Sequence, residues 1–119
     1  MEQNSPKISV AYADSVMIIG FTEQRILEQK DIDALSESLT AAVEKDNKKV
    51  ILDFSNVKFL SSAVLGVLIR VTKKIYERGG EVKFCSIDQK IFEIFRITRL
   101  NKIFDIYPDI ESAQKSFSK

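Results

Sequence analysis

The segment from Val50 to Gly80 constrains the fold most. It pairs a short apolar run, Val50 to Phe54, with a following segment whose residues Ala63, Val64, Leu65, Val67, Leu68, Ile69 and Val71 are apolar around nearly two helical turns. A run of that length and composition fits a strand buried on both faces, as in parallel sheets. A helix that only covers a sheet needs one apolar stripe. The extra apolar surface here is therefore either buried by other elements or offered to a partner.

Strand and helix periods alternate after residue 30. Before that, Ile8, Val10 and Tyr12 alternate with Lys7, Ser9 and Ala11, and Asp14-Ser15 interrupts ahead of Val16 to Ile19, which reads as two strands and a tight turn. From about Asp31 the residues Ile32, Leu35, Leu39, Ala42 and Val43 form a helical stripe, ended by the polar run Asp46 to Lys49. Ser55-Asn56 forms a turn after the buried strand, and a second helix runs from about Ser62 to Arg78 before Gly79-Gly80. Glu81 to Ile87 alternates as a strand, with Val82 and Phe84 set against Lys83 and Cys85. Asp88 then caps a third helix with the stripe Ile91, Ile94, Phe95 and Thr98. Phe104 to Tyr107 reads as an edge strand, and Pro108-Asp109 opens a last helix carrying Ile110, Ala113 and Phe117. This order favours an α/β layer with some parallel pairing and right-handed crossovers.

The 119 residues are enough for one core, so residues 1–119 are expected to form a single domain. With 18 basic and 17 acidic residues, the net charge of +1 predicts no general affinity for nucleic acid or anionic membrane. The apolar stretches are too short to span a bilayer, the N-terminal residues lack a signal-peptide core, and the one cysteine has no internal partner. The expected location is the cytoplasm. There is no histidine, no metal-ligand spacing, no Gly-rich phosphate loop and no nucleophile elbow. The expectation is a protein that is not an enzyme and that carries neither cofactor nor metal.

Chemistry concentrates in Leu52 to Arg70, LDFSNVKFLSSAVLGVLIR. Either Ser61 or Ser62 can cap the helix, its hydroxyl accepting a backbone N–H that the first turn leaves unpaired. Ser62, Gly66, Ile69, Arg70 and Lys73 share one side of that helix at spacings of three and four. Gly66 inside a helix calls for a reason: close packing on the chain's own sheet, or approach of another backbone beside Ser62. Asp53 reads as a hydrogen-bonding residue of the strand-to-helix turn, with orientation of a serine as a second role. Cys85 reads as a packing residue, with a redox role as the second reading, and Arg96 and Arg99 either face water or form an anion site.

The stretch FSNVKFLSSAVLGVLI resembles the signature of the STAS domain, the module of anti-sigma factor antagonists and of the cytoplasmic tails of sulphate transporters. The family reads Asp-Leu-Ser, a hydrophobic spacer, then Asp-Ser-Ser-Gly-Leu or Ser-Ser-Ala-Gly-Leu at the head of a helix. Gly79-Gly80 and IFEIFRITRLNKIFDIYPDIESAQKSF also resemble the family's second half, so the likeness covers nearly the whole chain. It departs from the pattern at Ser61, where many members have aspartate, at Ala63 and Val64, and in the loop GFTEQRILEQKD, where Glu23 and Glu28 are either solvated or in contact with a partner.

The resemblance implies a STAS fold, a mixed sheet of about four to five strands covered by about four helices. It further implies an anti-sigma factor antagonist that binds an anti-sigma factor acting as a serine kinase, loses that binding on phosphorylation of Ser62, and regains it through a phosphatase. Ser61 is the rival acceptor, and Asp53 supports the turn. The expected docking surface is Lys58, Phe59, Leu60, Ser61, Ser62, Ala63, Gly66, Ile69 and Arg70. A phosphate at a helix N-terminus meets unpaired N–H groups and the positive end of the dipole, whereas about 1.5 to 2 negative charges within an apolar contact carry a large desolvation cost. Two other readings are an accessory subunit of a lipid-exporting ABC-type transporter and a small-ligand sensor, the latter without a phosphate-binding motif behind it.

Overall fold

The computed structural model describes residues 7–43 and 48–117. Strands β1 (Ile8–Ala13) and β2 (Val16–Phe21) form an antiparallel hairpin from Ile8↔Phe21 to Ala13↔Val16. Its two turn residues, Asp14 and Ser15, hold φ of 51° and 65°. A two-residue hairpin needs that left-handed conformation so that the turn follows the right-handed twist of the strands.

A two-residue strand, β3 (Arg25–Ile26), precedes helix α1 (Gln29–Val43), which buries Ile32, Leu35, Leu39 and Val43 as its period requires. Of the polar run expected to end α1, residues 46 and 47 lie outside the described residues, and Lys49 already belongs to the next strand, β4 (Lys49–Asp53). After β4 come a second two-residue strand, β5 (Phe59–Leu60), helix α2 (Ser62–Glu77), strand β6 (Glu81–Cys85) and helix α3 (Gln89–Ile97). A 3-10 turn at Leu100–Lys102 leads to strand β7 (Asp105–Tyr107) and helix α4 (Ile110–Ser116).

The described strands form a five-stranded sheet in the order β1-β2-β4-β6-β7, antiparallel at β1–β2 and parallel elsewhere, beside the small parallel pair β3–β5. On one face, Val50, Leu52, Val82 and Phe84 meet the buried sides of α1, α2 and α3. Phe54 sits at the centre of that core, its ring 4.6 Å from Phe21, 5.7 Å from Phe84 and 6.3 Å from Phe95. On the other face, Val16, Ile51, Cys85 and Ala113 make a smaller cluster under α4.

The two-sided burial expected of the Val50–Phe54 run is present, with Val50, Ile51 and Leu52 all fully inaccessible. The same holds for β6, where sequence alternation set Lys83 and Cys85 apart from Val82 and Phe84. All four are buried, because α4 covers the second face. Thr98 departs from the expected stripe of α3. It is the exposed C-cap, and its hydroxyl donates to the Ile94 carbonyl at 2.7 Å. α2 ends as Gly79 N–H donates to Tyr76 O and Gly80 N–H to Ile75 O. Gly79 has φ of 83°, and a Cβ on Gly80 would lie 2.7 Å from Ile75 Cγ2 and 2.8 Å from Lys48 O, so the pair tolerates no side chain without rearrangement.

Candidate functional site

The chain from Asp53 to Ser62 is tied down by its own backbone at almost every step. Asp53 Oδ1 accepts the Ser55 N–H at 3.0 Å and lies 3.9 Å from the Cys85 thiol. Phe54 N–H still donates to Cys85 O at 3.0 Å, Val57 N–H closes the turn onto Phe54 O at 2.9 Å, and Asn56 Nδ2 donates to Phe21 O at 3.2 Å. Asp53 thus hydrogen-bonds within the turn through Ser55 and across to β6 through Cys85.

The β3–β5 pair then positions the start of α2. Gln24 O accepts from both Lys58 N–H at 2.8 Å and Phe59 N–H at 3.0 Å, Arg25 pairs with Phe59 and Ile26 with Leu60, and Ser61 N–H donates to Ile26 O at 2.9 Å. Ser61 is left in an extended conformation (φ −76°, ψ 148°), with its hydroxyl accepting Ala63 N–H at 3.2 Å and its carbonyl accepting Val64 N–H at 3.0 Å. Ser61 is therefore the N-cap and is half-buried, while Ser62 is the first helical residue and is exposed.

The residues that flank Ser62 in the sequence include large exposed apolar groups, one of them edged by cations. Phe59 is 44 % exposed, with the Arg25 guanidinium 4.7 Å from its ring centre and the Lys90 ammonium 5.9 Å away. Lys58 reaches Asp88, the residue that caps α3, at 4.0 Å. Ala63 is exposed, and Ile69 is 41 % exposed two turns further along α2. Gly66 has ample space. A Cβ there would meet only the Arg70 Nη1 atom, at 3.9 Å, so close packing on the chain's own sheet does not account for this glycine. Arg70 leans toward α1, where its Nη2 donates to Ser36 Oγ at 3.4 Å.

Of the residues expected to dock, Leu60 faces the core at 9 % exposure and Gly66 is half-buried, while Lys58, Phe59, Ser62, Ala63, Ile69 and Arg70 are exposed. Sequence reasoning missed Arg25, Leu27 and Lys90. Leu27, 42 % exposed, follows the Ile26 carbonyl that holds Ser61, and the other two flank Phe59. A two-residue strand leaves no periodicity to read, and α3 is remote in sequence from Phe59.

The other candidates resolve simply. Glu28 pairs with Lys30 at 3.7 Å on the surface, the half-buried Glu23 accepts from the Thr22 hydroxyl at 3.5 Å, and Arg96 pairs with Glu93 at 2.6 Å. Arg99 is exposed and takes a left-handed conformation at φ 65°. Cys85 is fully buried, and burial, reinforced by the nearby Asp53 and Asp109 charges, pushes its thiol up to about 11, which suits packing rather than redox chemistry. Among the described residues no group of three His, Cys, Asp or Glu side chains is placed to hold a metal ion, and no helix is long and apolar enough to cross a membrane.

The STAS domain model matches residues 9–113, and the chain belongs to that family. It is 29 % identical over 94 residues to BtrV of Bordetella bronchiseptica, a candidate anti-sigma factor antagonist, covering 79 % of this chain and 81 % of that protein. The solved structure of an anti-sigma-factor antagonist (STAS) domain protein from Planctomyces limnophilus superposes with a TM-score of 0.83 at 23 % identity, over 95 % of this chain and 98 % of the other. The phosphorylated form of the Bacillus cell fate determinant SpoIIAA superposes with a TM-score of 0.67 at 11 % identity, over 92 % and 98 % of the two chains. These superpositions show the shared fold.

Proposed function

We propose that residues 1–119 act as one STAS unit of the anti-sigma factor antagonist type, a partner-switching protein of the cytoplasm. It docks on an anti-sigma factor that is also a serine kinase, and phosphorylation of Ser62 turns that docking off. One observation carries the reading. Ser61 performs the capping, leaving Ser62 exposed on the first turn of α2, flanked in the sequence by the exposed Phe59 and Ile69. The relationship to BtrV and the fold shared with SpoIIAA, which is known in a phosphorylated form, support it.

The surface favours a switch by local charge. Phe59, Ala63 and Ile69 supply apolar contact, and Ser62 lies among them in the sequence. Phosphate there would put about 1.5 to 2 negative charges into a contact that must exclude water, whereas the helix N-terminus of the free protein tolerates it. Lys58, Gly66 and Arg70 complete the docking face, and a phosphatase restores the binding form.

The test is phosphosite mapping on protein isolated from its own cells, followed by binding of Ser62→Ala and Ser62→Asp variants to the purified kinase. Phosphate on Ser62, retained binding by Ser62→Ala and at least tenfold weaker binding by a folded Ser62→Asp are the expected results. Unchanged binding by Ser62→Asp would overturn the proposal. Stable co-purification with a membrane complex, without phosphate under any growth condition, would replace it by the transporter-subunit role.

A further inference from the structure

The side chain of Arg70 is folded back over Gly66. Its Nη1 lies 3.9 Å from the position a Gly66 Cβ would occupy, as expected of long helical side chains, which lean toward the N-terminus. Ser62 is one turn further in that direction, and residues four apart on a helix have Cβ positions about 5–6 Å from each other. Gly66 therefore leaves the space on its own turn, between those of Arg70 and Ser62, free of a side chain. A larger residue at 66 would stand in it.

Arg70 is weakly committed where it is. Its described hydrogen bond is to the neutral Ser36 hydroxyl, at 3.4 Å, near the limit of such a bond. It lines an open groove between α1 and α2 of about 500 Å³, shared with Ser36, Thr40 and Val67, so the guanidinium has room to move. A phosphate offers it a charge-assisted, bidentate bond roughly twice as strong as a neutral one.

We infer that Arg70 is an intramolecular phosphate receptor: when Ser62 is phosphorylated, the guanidinium leaves Ser36 and pairs with the phosphate across Gly66. This rests on the reading of Ser62 as the acceptor and adds a second consequence to phosphorylation. The modification removes a cation from the docking face as it adds an anion, and it releases a contact between α2 and α1. The phosphate is held by this chain, so the phosphorylated form is a defined state with its own local structure.

The experiment installs phosphoserine at position 62 by genetic encoding, which makes it independent of any kinase. The second phosphate ionisation is followed by 31P NMR, and the Ser36 backbone amide by 15N NMR, in wild type, Arg70→Gln, Gly66→Leu and Lys73→Gln. A neighbouring cation favours the dianion, so the wild-type phosphate should ionise about half a unit or more below the Arg70→Gln and Gly66→Leu forms. Lys73→Gln should stay near wild type. The Ser36 amide should respond to phosphorylation in wild type and remain still in Arg70→Gln. Equal titration of wild type and Arg70→Gln, or an equal effect of Lys73→Gln, would overturn the inference. Absence of Ser62 phosphate in cells would instead overturn the switch itself.

Discussion

Ser61 and Ser62 have the same side chain but different placements. The extended backbone of Ser61 lets its hydroxyl turn back to Ala63 N–H, while Ser62 has already entered the helix and points outward. Sequence left the cap open between them, because cap preference belongs to the residue type and the two are identical. The choice is made by the Ile26 carbonyl, which holds Ser61 N–H at the end of β5, a contact 35 residues apart in the chain. Ser61→Ala should accordingly cost about 1 kcal/mol in urea denaturation, and Ser62→Ala should stay within about 0.5 kcal/mol of wild type. The reverse order would move the cap, and with it the argument for Ser62 as the accessible hydroxyl.

At the level of elements, the order of the longer strands and helices was legible, since Ile32, Leu35 and Leu39 on α1 and Val50 to Leu52 on β4 carry unambiguous periods. What stayed hidden was which elements shared a face. Lys83 looked like the solvent side of β6, yet it is 5 % exposed beneath α4, bonded to Asp105 at 2.7 Å and Glu81 at 3.3 Å, with its ammonium 4.9 Å from the Phe117 ring centre. Burial alone lowers a lysine's affinity for its proton. Here the hydrogen bond and charge of Asp105, followed by Glu81, outweigh burial and hold Lys83 above its ordinary value. The pairing therefore contributes fully below the ordinary lysine value of 10.5 and fades only as pH rises through the still higher folded value. Asp105→Asn, which leaves the buried ammonium short of a carboxylate, should destabilise by about 1–3 kcal/mol at pH 7. Lys83→Met should change stability by less than about 1 kcal/mol, because the half-exposed Asp105 is then solvated. Equal losses from the two substitutions in guanidinium denaturation would show that the pair matters for shape rather than charge.

Across the whole molecule, the aromatic core joins the candidate switch to the sheet. Phe54 closes the turn that leads to Ser61, and its ring contacts Phe21 on β2, Phe84 on β6 and Phe95 on α3. Phe54→Ala should cost about 3–5 kcal/mol by chemical denaturation, a large share of the roughly 5–15 kcal/mol that holds a domain together. A smaller cost would mean that the loop can collapse into the space without disturbing the sheet. The mixed sheet, too, was legible in outline, because a central strand as apolar as β4 requires cover on both faces. The β3–β5 ribbon was not, because two residues per strand encode no pattern. The spatial order of the five-stranded sheet also repeats the order of its strands along the chain. During synthesis, each strand emerging from the ribosome would find its docking edge already made, and no insertion between paired strands would be needed. The Ser62 end of α2, made between β4 and β6, would be in place well before α4 seals the opposite face, so a nascent chain truncated near its end would display the proposed docking surface before the second face of the sheet is covered.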